Sequence, residues 1–141
     1  MEDIGKSIMC TSLSIRRFID SVLESYGLKS SQGRILKYIE NNSPVTASSI
    51  ESYFNLTKAT VSDHLNSLES LKYIERKVDE IDARKKLIVL TSEGKIINEK
   101  IKKCLKEHQL NFSLLLTEEE KILMNNVLEK INKKLKEELD V

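Results

Sequence analysis

Apolar residues recur at helical spacing from the start of the chain. Ile4, Ile8, Leu13, Ile15, Phe18, Ile19, Val22 and Leu23 predict an amphipathic helix over residues 4–25, and Gly27 follows as its stop. Ser30 or Ser31 can cap a second helix whose inner face carries Ile35, Leu36 and Ile39. Asn41-Asn42-Ser43-Pro44 reads as a turn, and Val45 as a strand of one or two residues. Thr46 caps a short third helix over 47–54 with Ile50 and Phe54 inward. Asn55-Leu56 makes a tight turn, and Thr57 caps a fourth helix that runs to about Leu71. Two helices joined this tightly form a helix-turn-helix plan. Ile74–Val78 and Lys86–Leu90 read as strands, with 79–85 as the loop between them. Thr91 caps a long fifth helix with Ile96, Ile97, Ile101, Leu105 and Phe112 on its inner face. Thr117-Glu118-Glu119-Glu120 is a capping box opening a last helix, with Leu123, Val127, Ile131 and Leu135 in one stripe. The expected fold class is mainly α with a small β-wing: a winged helix-turn-helix plus a helical region.

Bulk properties bound this picture without deciding it. The 141 residues suit one domain, or one reading lobe plus a dimerisation lobe. There are seven Phe and Tyr and no Trp, so Leu and Ile must fill the core. No run of about eighteen apolar residues exists, so no membrane span is expected. The acidic start Met1-Glu2-Asp3 lacks a signal-peptide apolar region. Cys10 and Cys104 are far apart with no paired spacing, which fits a reduced, cytoplasmic setting. Net charge is +1, with six basic and five acidic side chains in 1–44, seven of each in 45–92 and ten of each in 93–141. Binding to a polyanion would therefore depend on where charges are placed, not on a global field.

Two segments place them usefully. On a wheel of residues 57–71, Val61, Leu65 and Leu68 share a narrow arc. The opposite arc holds Ala59, Asp63, Asn66 and Ser70, flanked by Thr60, Ser62 and Ser67. Short polar side chains let a helix lie close to base edges in a major groove. Lys58 and the free N–H groups at the helix start suit a phosphate. The plainer reading is a small-residue face packed on another helix. The hairpin shifts the balance: Arg76 and Lys77 precede its loop, and Arg84, Lys85 and Lys86 follow it. Arginine suits a narrow, electronegative minor groove. Asp82, two residues before Arg84, can pair with its guanidinium and orient it. Asp79, Glu80 and Asp82 load the same loop with negative charge; otherwise the hairpin is an ordinary exposed turn.

In this order of parts the chain resembles the MarR family of bacterial transcription regulators, over nearly its whole length. The residues that carry the resemblance are Leu28, Gln32 and Leu36; then Thr60-Val61-Ser62 with Leu65, Leu68 and Glu69; then Ile74-Glu75-Arg76, Asp82-x-Arg84 and Leu90-Thr91-x-x-Gly94. The resemblance implies a winged helix-turn-helix in 28–91 and a helical dimerisation region in 1–27 and 92–141. It implies a homodimer on double-stranded DNA, at a pseudo-palindromic operator whose half-sites lie about 34 Å apart. Repression is implied more than activation. So is a pocket between the lobes where a small-molecule effector, or an oxidant, shifts the spacing of the reading heads. The major-groove set would be Lys58, Thr60, Ser62, Asp63 and Asn66, with Arg84 in the minor groove and Arg76 and Lys86 on the backbone. Two positions depart from the family: Asp63, where Arg is common, and Gly33, where a bulky apolar residue is usual. Asp63 can accept from a cytosine N4 donor and repels phosphate, which makes it a candidate specificity residue. Gly33 either leaves room beside the pocket or costs the helix about 1 kcal/mol.

Other chemistry is thinner. Cys10 falls where some family members sense oxidants, but a packed cysteine is the simpler reading. Cys104 and His108 stand four apart on the fifth helix; zinc wants three or four ligands, so a packed Cys and a surface His are preferred and no metal or cofactor is expected. There is no Gly-rich phosphate loop, zinc signature or nucleophile with a local base, which argues against an enzyme. The alternative function is a protein-binding winged helix that never touches DNA, which the near-neutral charge favours slightly.

Overall fold

The computed structural model describes residues 3–139, apart from the side chains of Leu110 and Phe112. The chain forms α1 (Ile4–Ser25), α2 (Ser30–Asn42), α3 (Ala47–Phe54), α4 (Lys58–Ser70), β1 (Ile74–Val78), β2 (Lys86–Leu90), α5 (Ser92–Ser113) and α6 (Glu118–Leu139). It divides into two compact units, one ending at Cys104 and one beginning at Leu105. No described helix is long and apolar enough to cross a membrane.

Local chemistry accounts for most boundaries. At the end of α1, Gly27 takes φ +74°, its N–H donates to the Glu24 carbonyl, and the Leu28 N–H donates to the Leu23 carbonyl. This left-handed cap satisfies two helix-end acceptors. The cap of α2 is Lys29, not Ser30 or Ser31: its backbone N–H donates to Gln32 Oε1 at 2.8 Å. A glutamine side chain three residues into the helix reaches back to the cap N–H as well as a serine could serve from in front. The Ser43–Pro44 peptide is cis. Thr46 and Thr57 cap α3 and α4, each hydroxyl oxygen accepting an N–H at 3.2 Å. Asn55, at φ 51°, makes the turn between them. In the second unit, Thr117 N–H donates to Glu120 Oε2 at 2.8 Å and Glu120 N–H returns to Thr117 Oγ1 at 3.2 Å, closing the capping box of α6.

The core of the first unit is aliphatic. Leu28, Ile35, Leu36, Ile39, Ile50, Val61, Leu65, Leu68, Ile74 and Ile88 are buried, each contributing roughly 1.5–3 kcal/mol of transfer free energy. The strands pair antiparallel, Ile74 with Leu90 and Arg76 with Ile88. Val45 bridges the far side of Ile88, exchanging both backbone hydrogen bonds at 3.2 and 2.7 Å. Gly33 leaves no vacancy: a Cβ there would stand 2.7 Å from Leu23 Cδ2, so the α1 leucine fills the space.

The start of α5 is locked to the end of α4. Lys72, at φ 64°, reverses the chain after α4, its N–H donating to the Glu69 carbonyl and the Tyr73 N–H to the Leu68 carbonyl. Thr91 N–H donates to the Tyr73 carbonyl at 3.1 Å, and its hydroxyl donates to the Lys72 carbonyl at 2.6 Å. The same hydroxyl oxygen accepts the Gly94 N–H at 3.0 Å, capping α5. Gly94 faces the Tyr73 carbonyl so closely that any Cβ would collide with it. This contact sets the rotation of α5. With Gly94 inward, the buried stripe runs through Ile97, Asn98 and Ile101, and Ile96 is 55% exposed, not inward as its hydrophobicity suggested. Asn98 Nδ2 donates to the Leu36 carbonyl at 3.2 Å, tying α5 to α2. Phe112 lies outside the described side chains.

Gly94→Ala should cost about 3 kcal/mol or more, since the added carbon meets backbone that cannot rotate away. Chemical denaturation against the unchanged protein measures it; a loss below about 0.5 kcal/mol would refute the close approach.

Candidate nucleic-acid interface

The fourth helix presents the two faces its sequence requires. Val61, Leu65 and Leu68 are buried, while Lys58, Ala59, Ser62, Asp63, Asn66 and Ser70 are exposed. Two flanking residues are partly committed to the scaffold. Thr60 Oγ1 accepts from the Thr57 hydroxyl at 2.9 Å. Ser67 Oγ accepts from Gln32 Nε2 at 2.9 Å, so buried Gln32 joins the cap of α2 to the side of α4. Removing Gln32 would leave two elements without a shared polar partner.

The wing is organised differently from the expected side-chain pair. Asp82 Oδ1 accepts the backbone N–H of Arg84 at 3.0 Å, and the Lys85 N–H donates to the Asp82 carbonyl. Asp79 does the same job on the other side, its Oδ1 accepting the Ile81 N–H at 2.9 Å. Both carboxylates therefore shape turns in the loop. The Arg84 guanidinium has no ion pair among the described residues and is exposed, as are Lys85 and Lys86. Asp82 thus orders the backbone that carries Arg84 and leaves the guanidinium to solvent. Ile81, at the tip, is 97% exposed.

Arg76, expected on the DNA backbone, instead turns toward the reading helix. Its Nη2 donates to Asn66 Oδ1 at 2.9 Å, and its Nε stands 3.0 Å from Glu69 Oε2. The Nε is shielded from solvent and meets Glu69 as an ion pair without a well-aligned hydrogen bond. Nothing in the wheel of α4 shows this link. Its only trace in the sequence is a donor and two acceptors ten and seven residues apart.

Cys10 is exposed on α1, so the packed reading does not hold within this chain. Cys104 is half-buried and His108 exposed, and among the described residues no group of three or more His, Cys, Asp or Glu is placed to hold a metal.

Comparison with known proteins reads the same geometry. The model of the MarR family matches residues 26–85, the whole of the helix-turn-helix with β1 and the loop that follows it. An uncharacterised HTH-type transcriptional regulator of Bacillus subtilis, YwoH, is 37% identical over 98 residues, 70% of this chain. The chain is similar to the MarR family across its helix-turn-helix. The match spans 64% of the length of YwoH. Among solved structures, MepR, a transcription regulator of the Staphylococcus aureus multidrug efflux pump MepA, is 28% identical with a TM-score of 0.88, covering 95% of this chain and 99% of MepR. MepR in complex with DNA has the same identity and coverage, with a TM-score of 0.72. MepR bound to ethidium bromide is 29% identical, covers 95% of this chain and 97% of its own, and has a TM-score of 0.70. The two-stranded hairpin after α4 is the wing of this family's winged helix.

Because Asp82 acts through the backbone, Asp82→Asn should keep the wing ordered and Asp82→Ala should loosen it. NMR relaxation at the Arg84 amide reads the difference; equal loosening by both would return the role to the carboxylate charge.

Proposed function

We propose that this chain is a sequence-specific DNA-binding transcription regulator of the MarR type, acting as a homodimer on a pseudo-palindromic operator and repressing by occupying it. The observation that carries this is the exposed row of short polar side chains on α4, backed by a fully buried aliphatic face and followed by a wing with a solvent-facing arginine. A relative of 28% identity has been solved with DNA. Lys58 and the free N–H groups at the α4 start meet phosphate, and Thr60, Ser62, Asp63 and Asn66 face the major groove. Arg84 enters the minor groove and Lys86 reaches the backbone. With Asp63 an acceptor among them, base preference differs from that of relatives bearing arginine there.

The apolar stripes support a second copy as partner. Leu123 is 65% and Val127 41% exposed on α6, and Ile4, Met9 and Leu13 are exposed on α1. Faces this apolar are normally covered. The effector class this reading favours is a small organic cation, since MepR has been solved bound to ethidium bromide. Nothing in the site arranges groups for catalysis, and the relatives' names describe regulators.

Binding to operator duplexes selected from random sequence should weaken as salt rises, and Arg84→Ala should reduce affinity across most sequences by about tenfold. A log–log salt slope near zero would remove the DNA reading in favour of a protein-binding winged helix. Leu123→Glu with Val127→Glu should convert a dimer to monomers in sedimentation; an unchanged mass would move the dimer interface elsewhere.

A further inference from the structure

Arg76 occupies the middle of β1, paired with Ile88, and spends its guanidinium on two residues of α4. A guanidinium only donates. The Asn66 amide must therefore turn its oxygen to Arg76, which settles an orientation that amides otherwise leave ambiguous. The Asn66 carbonyl is engaged at 2.9 Å, and its Nδ2 has no partner among the described residues. Asn66 is exposed on the face opposite Val61, Leu65 and Leu68. Glu69, one turn further along, pairs with the Nε and keeps the guanidinium in place.

We propose that Arg76 is a positioning residue for base recognition, turning the Asn66 oxygen toward β1 so that the amide leads with its unpartnered NH2 donors. This rests on the DNA-binding reading above. A free asparagine pairs with adenine through both its oxygen and its nitrogen, accepting from N6 and donating to N7. With one of the oxygen's two lone pairs taken by Arg76 and the oxygen turned toward β1, the free NH2 best matches an edge made only of acceptors, the N7 and O6 of guanine, and is mismatched to the N4 donor of cytosine. Arg76 is then a determinant of sequence preference that need not touch DNA. A phosphate-binding arginine would behave oppositely, adding affinity without preference.

The test uses the full chain and operators drawn from random duplexes, with each half-site base pair varied and binding measured at several salt concentrations. Arg76→Ala should lower a guanine preference by about tenfold at one position in each half-site and leave the salt slope unchanged. Asn66→Asp retains an acceptor for Arg76, so the clasp persists, yet it has no donor; it should lose the same preference while unfolding no earlier than the unchanged protein. A purely structural clasp predicts that Asn66→Asp keeps the preference, and that result overturns the proposal. So does uniform weakening by Arg76→Ala with the slope reduced by about one, the signature of a lost phosphate contact. An adenine preference at the Asn66-dependent position overturns it too. If the unchanged protein shows no salt-dependent binding, the DNA reading itself fails; that outcome is visible before any variant is compared.

Discussion

Thr91 and Gly94 hold the start of α5 against the chain reversal that ends α4, and the rest of the first unit depends on that attachment. One hydroxyl serves two roles there, donating to the Lys72 carbonyl and accepting the Gly94 N–H. The Tyr73 carbonyl receives the Thr91 N–H and sits where a side chain on Gly94 would have to go. The constraint acts in three directions at once. It ends α4 at a residue in the left-handed region, it closes the base of the wing where Ile74 meets Leu90, and it sets which face of α5 turns inward. The Lys72 and Tyr73 carbonyls and the Thr91 and Gly94 N–H groups all find partners at this junction, which joins segments 19 residues apart in the chain.

Rigidity at that junction bears on function because the reading helix and the wing leave it from either side. The face of α4 is held from behind by Leu65 and Leu68, from one flank by Gln32 through Ser67, and from the other by Arg76 through Asn66 and Glu69. Each polar restraint is worth only about 1 kcal/mol. Together they fix how the exposed side chains meet a surface, which matters more for selecting among sequences than for affinity. The wing follows the same economy of means. Asp79 and Asp82 accept N–H groups of their own loop, and Arg84 is left with its charge facing solvent.

Much of this was legible in the residues. The strand limits, the caps at Thr46, Thr57, Thr91 and Thr117, and the buried arc of Val61, Leu65 and Leu68 follow from signals within a few residues of chain. The departures have one cause. Ile96 is exposed because the rotation of α5 is set by Tyr73, not by the hydrophobicity of α5 itself. Gly33 neither opens a space nor merely weakens α2, because Leu23 from α1 packs into it. Lys29 caps α2 because Gln32 can reach it, and Gln32 is buried only because α4 lies alongside. Of the candidate site, the outward face of α4 and the exposed Arg84 could be named in advance, and the inward turn of Arg76 could not.

By itself, then, the sequence determined the order of elements, their ends and the face each helix offers, since caps, turns and periodicity act between neighbours in the chain. It also carried the family resemblance, residue by residue. Only the tertiary structure decided which polar groups meet: Asp82 with a backbone N–H and not a guanidinium, Arg76 with Asn66 and Glu69, Thr91 with Lys72. A donor takes whichever acceptor packing brings within about 3 Å, and that distance depends on elements that are adjacent in space and not in the chain.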